Sequence, residues 1–71
     1  MTVCVEQHEG KNHYVSLEIE QAYGHAIYVV QVCQQYENGL CGYPLREMRY
    51  PITEKKKAYG TYRRYIRNYC R

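Results

Sequence analysis

The sequence predicts an α+β fold: a four-stranded antiparallel meander sheet with one C-terminal amphipathic helix packed on one face (ββββα). Three observations carry that expectation. Residues 13–21 alternate strictly, with Val15, Leu17 and Ile19 against Tyr14, Ser16, Glu18 and Glu20, the period of a strand with one buried face. Turn-forming groups recur between the apolar runs, at Glu9-Gly10-Lys11-Asn12, Tyr23-Gly24-His25 and Glu37-Asn38-Gly39. After residue 53 the period changes from 2 to 3.6.

Residues 2–8 read as the first strand, with Val3 and Val5 on the buried face and Thr2, Cys4 and Glu6 on the other. Residues 13–21 return beside it. Residues 26–36 make the third and innermost strand. Its Ile27, Val29 and Cys33 lie on one side and its Tyr28, Val30 and Val32 on the other, so both faces are apolar near its middle. Asn38-Gly39 suits a tight hairpin because both residues accept positive φ. Residues 40–50 form the fourth strand. Pro44 there has no amide proton, which assigns that strand to the sheet edge or to a bulge. Pro51 ends it. The opposite sheet face, carrying Glu6, Glu18 and Glu20, is expected to be solvated unless a second subunit covers it.

Residues 53–71 form the helix, with Thr53 as the expected N-cap and Glu54 favourable in the first turn. On a helical wheel Ala58, Tyr59, Tyr62, Tyr65, Ile66, Tyr69 and Cys70 share an arc of roughly 140°. Lys56, Lys57, Arg63, Arg64, Arg67 and Arg71 share a separate arc of roughly 120°. Gly60 falls within the basic arc and weakens the helix by about 1 kcal/mol relative to Ala. The lysines at the start also oppose the macrodipole. Burial of the tyrosine-rich seam outweighs both.

With 71 residues the chain is one small domain, residues 1–71, and a chain of this size buries only about 60% of its unfolded surface. No apolar run approaches the roughly 18 residues of a membrane span, so no membrane is expected as a partner. The first residues lack both the charged leader and the long apolar core of a signal peptide. A cytoplasmic location with reduced thiols at Cys4, Cys33, Cys41 and Cys70 is the expectation. Ten tyrosines and no Phe or Trp supply apolar area whose hydroxyls must reach water or a partner.

Charge is uneven along the chain. Residues 1–37 hold Lys11 against five glutamates, a net −4, whereas residues 38–71 hold nine Lys and Arg against Glu47 and Glu54, a net +7. Such asymmetry points to an anionic partner. The outer face of the helix is of one sign, with no Glu four residues before or after Arg63, Arg64 or Arg67, where solvated helices ordinarily mix signs.

Enzymatic chemistry finds little support. The chain contains no Asp, and His8, His13 and His25 lie in or beside turns, so no acid–base constellation or activated thiol can be assembled. Zinc sites ordinarily use closely spaced cysteine pairs, and the nearest pair here, Cys33 and Cys41, is eight apart across a hairpin. No phosphate-binding loop or dinucleotide fingerprint appears. Neither a cofactor nor a small-molecule substrate is expected.

The segment Thr53-Glu54-Lys55-Lys56-Lys57-Ala58, placed after an antiparallel sheet, resembles the start of the last helix in two families. One is the double-stranded RNA-binding domain, and the other is the arm-site DNA-binding domain of phage-type integrases. The resemblance implies phosphate contacts from the lysines. The chain departs from both: it lacks the RNA-binding domain's first helix, and its acidic sheet face would repel DNA where the integrase domain lays its sheet. The expectation is a small non-enzymatic nucleic-acid-binding or accessory protein. Lys55, Lys56, Lys57, Arg63, Arg64 and Arg67 would contact phosphates. The alternative is a protein-interaction module or homodimer, drawing on the complementary charge of the two halves and on open sheet edges.

Overall fold

The computed structural model describes residues 2–35 and 41–70. Within them lie β1 (Thr2–Glu9), β2 (His13–Ala22), β3 (His25–Gln35), β4 (Cys41–Pro51) and α1 (Lys55–Tyr69). The strands pair antiparallel in the order β1-β2-β3-β4, and α1 packs on one face, so the ββββα architecture is as expected. The turn expected at Asn38-Gly39 lies outside the described residues, as does Arg71. Between β2 and β3, Tyr23 and Gly24 have φ of 54° and 77°, the positive pair that a two-residue hairpin turn demands. At the other end, the Gly10 amide donates to the His13 carbonyl at 2.8 Å, and the Gln35 amide donates to Asn12 at 2.9 Å.

The inner face holds the core. Val15 and Leu17 of β2 and Val30 and Val32 of β3 are completely buried, and they meet Ala58, Tyr62 and Tyr65 of α1 with Tyr28. Ile19, Tyr50, Tyr59, Ile66, Tyr69 and Cys70 pack around that centre. Every residue of the expected seam therefore takes part. Thr61, which the seam did not include, is buried as well.

β1 differs from expectation. Cys4 stands opposite Glu18, but Glu6 rather than Val5 stands opposite Leu17. A bulge at Val5 has inserted one extra residue and reversed the alternation beyond it. Val3 shares the inner side with Ile19, but Glu6 and His8 now share it with Leu17 and Val15. Glu6 thus leaves the outer face to which the alternation assigned it. Nor are Val3 and Val5 buried: they are 50% and 37% exposed. The helix lies chiefly over β2, β3 and β4. β1 is an edge exposed along its whole length.

β4 forms the other edge, as Pro44 requires. Register slips on either side of Cys33, opposite Pro44, absorb the missing donor. The outer sheet face is not simply solvated. Val29, Cys33 and Ser16 are buried there, although among the described residues no helix or second sheet lies on that face. Long neighbours cover them: Gln31 donates to Glu18 at 3.2 Å, and Arg49 spans Glu47 at 2.9 Å and Glu20 at 3.9 Å. Their aliphatic stems shield what lies beneath.

Candidate functional site

The helix carrying the expected phosphate contacts begins one residue later than its sequence suggests. The Glu54 amide closes a turn onto the Pro51 carbonyl at 2.9 Å, which makes Glu54 the N-cap and leaves Thr53 outside the helix. No side chain caps the first turn. The Glu54 carboxylate instead takes the Lys57 ammonium at 3.0 Å. At the far end the Cys70 amide bonds the Ile66 carbonyl at 2.9 Å, and the Cys70 thiol donates to the His13 carbonyl at 3.6 Å. Gly10 approaches Cys70 so closely that a Cβ on the glycine would stand 2.8 Å from the Cys70 Cβ and Sγ. The β1–β2 turn thereby anchors the helix C-terminus.

Two contacts fix the rotation of α1 about its axis. The hydroxyls of Tyr50 on β4 and Thr61 on α1 are 2.6 Å apart, and Arg46 Nε donates to the Tyr69 hydroxyl at 3.4 Å. Thr61 and Tyr69 therefore turn toward β4. Lys56, Gly60, Arg63 and Arg67 lie at the opposite side of the wheel and face outward, and Lys55, Lys57 and Arg64 are exposed as well. Lys55, Lys56, Tyr59, Gly60 and Arg63 line an open cleft of about 690 Å³ along the first two turns. Lys57 sits apart from it, held by Glu54. Arg64 lies over the Tyr65 ring, 5.9 Å from its centroid.

Tyr59 is the aromatic residue lining the cleft. Its ring meets Tyr28 edge-on, with centroids 6.4 Å apart and planes at 69°, and the Lys55 ammonium stands 5.6 Å from its centroid. Both contacts are in the range where the ring quadrupole is attractive. Gly60 contributes bare backbone, since a Cβ built on it would meet nothing within 4 Å.

Sequence reasoning missed Arg46 as a neighbour of the helix. Alternation from Tyr50 through Met48 gave the available signal, because those three residues pair with Tyr28, Val30 and Val32 of the inner face. The Tyr69 hydroxyl beside it, accepting its hydrogen bond, raises the Arg46 pKa further above its ordinary value.

Groups suited to other chemistry are dispersed. Cys4 is an exposed thiol on β1, Cys33 is buried, and Cys70 is half-buried at the end of the helix. Burial, then the charge of Glu18, raises the Cys4 pKa, and burial raises that of Cys70 against the opposing pull of the Gly10 amide. Neither shift creates a thiolate at neutral pH. Among the described residues no three His, Cys, Asp or Glu side chains converge on a metal-sized site, and no helix is long and apolar enough to cross a membrane. No family model matches the chain, and no curated protein or solved structure is significantly similar to it.

Proposed function

We propose that this is a small non-enzymatic nucleic-acid-binding or accessory protein whose C-terminal helix engages phosphates. Lys55, Lys56, Lys57, Arg63, Arg64 and Arg67 supply the charge. One observation carries the reading: these side chains are exposed on α1, with Lys56, Gly60, Arg63 and Arg67 in sequence along it, and Lys56 and Arg63 enter no ion pair among the described residues. Those four residues follow one another at i, i+4, i+7 and i+11, which aligns them along one stripe of an α-helix. Lys57 contributes least because Glu54 already holds it.

The rest of the fold restricts the direction of approach. Glu18, Glu20 and Glu47 lie on the outer sheet face, neutralised in part by Arg49. Glu6 has moved to the inner side, which leaves that face less acidic than its sequence implies. A polyanion is still favoured only on the helix side. Binding of this kind releases counterions, so its signature is steep salt dependence and weak sequence preference. The test is the affinity for generic duplex DNA and RNA across a salt series. Binding weaker than about 1 mM at low salt would remove the reading.

A second reading keeps one specific observation. Every residue of β1 is exposed, and an edge strand with free backbone groups is a template for another strand. On this reading the protein is an interaction module or homodimer that pairs through β1. The bulge at Val5 works against it, since bulges twist edges away from partners. A strictly monomeric mass at high protein concentration disposes of the homodimer.

A further inference from the structure

Resting on the nucleic-acid reading above, we infer that the cleft at Tyr59 takes an unpaired base, so that the preferred ligand is a single strand rather than a duplex. A helix that only tracked a duplex backbone would need cations and nothing else. Here a half-buried aromatic ring lies between three of them, with Lys55 and Lys56 before it in the first turn and Arg63 one turn beyond. Bases within a duplex have no free π-face, whereas an unstacked base presents one to any aromatic ring it meets.

The site is built for such a ligand in three respects. Tyr28 holds the Tyr59 ring by its edge, so the ring is oriented before anything binds. The cleft, about 690 Å³, falls within the range of roughly 300–1,000 Å³ typical of small-ligand sites. Gly60 forms one wall without a side chain, which lets a sugar or phosphate approach the helix backbone. Lys56 and Arg63 enter no ion pair among the described residues. The Lys55 ammonium covers the ring now. An incoming base takes its place over Tyr59, and the ammonium moves to the adjoining phosphate. Sequence preference is weak, because every base has a face to stack.

The experiment compares a ten-nucleotide oligothymidylate, a duplex of equal length and polyglutamate, each titrated against the full chain by fluorescence anisotropy at fixed salt. The wild-type protein is expected to bind the single strand about tenfold or more tighter than the duplex. Tyr59→Leu should lose about tenfold for the single strand and little for the duplex, while Tyr59→Phe, which keeps the ring, should retain the wild-type affinity. Equal affinity for both nucleic acids, with Tyr59→Phe and Tyr59→Leu alike, overturns the base-stacking inference and leaves the phosphate-binding helix standing. Failure of both nucleic acids to bind, or polyglutamate binding as tightly as the oligonucleotide, overturns the two together. The wild-type comparison decides the matter even if Tyr59→Leu does not fold.

Discussion

The hydroxyls of Tyr50 and Thr61 lie 2.6 Å apart, joining the end of β4 to the middle of α1 at the border of the core. Because this bond turns Thr61 toward β4, it also sets which residues of the helix face outward. Removing either hydroxyl should destabilise the protein by about 1 kcal/mol. Urea denaturation of Tyr50→Phe, Thr61→Val and the double variant should give a coupling energy of the same order. Additive single effects would mean that the two hydroxyls prefer water to each other.

Gly10 is a glycine for want of space. A methyl group there would stand 2.8 Å from the Cys70 Cβ and Sγ and 3.0 Å from its Cα. Gly10→Ala should therefore destabilise by about 1–3 kcal/mol, with the end of α1 loosening first. Hydrogen exchange at the Cys70 amide, which bonds the Ile66 carbonyl, reports that loosening directly.

Gly60 presents the opposite case. Nothing lies within 4 Å of a Cβ placed there, so Gly60→Ala should stabilise the helix by about 1 kcal/mol. If the bare backbone receives a ligand, the same variant should bind nucleic acid more weakly despite being more stable. A thermal melt and a binding titration on one preparation distinguish this outcome from a uniform loss.

Stability should fall in alkali because three groups hold their protons more tightly in the folded state, Cys4 among them through burial and the charge of Glu18. Burial, with the charge of Glu6 next, raises the Tyr62 pKa, and burial raises that of Cys70. A group with its proton held more tightly in the folded state supports folding while it stays protonated. That support is complete below the unfolded pKa values, about 8.5 for a thiol and about 10 for a phenol, and is lost as pH rises through the higher folded values. The urea midpoint should thus fall from about pH 8.5 upward. Tyr62→Phe should flatten the part above about pH 10 and leave the part below it.

Most of the fold was legible because burial enforces period. Val15, Leu17 and Ile19 identify β2 by alternation, and all seven expected seam residues of α1 pack as the wheel places them. What stayed hidden has no periodic signal. The bulge at Val5 carries no Gly or Pro to announce it, and it moves Glu6 across the sheet. The start of the helix was set by a backbone turn from Pro51 to Glu54 rather than by the hydroxyl of Thr53. As for the candidate site, its charges were plain in the sequence. The cleft at Tyr59 was not, because it depends on how Tyr28 supports the ring from another element.

The central claim is that α1 meets phosphates, and its most direct test is a salt slope. Affinity for a single-stranded oligonucleotide should be measured from low to physiological salt for the wild type and for Lys56→Gln/Arg63→Gln. Each lost phosphate contact reduces the magnitude of the log–log slope by about 0.7. The double variant should therefore show a slope shallower by about 1.4. A wild-type slope near zero, or one that the two substitutions leave unchanged, would contradict the account.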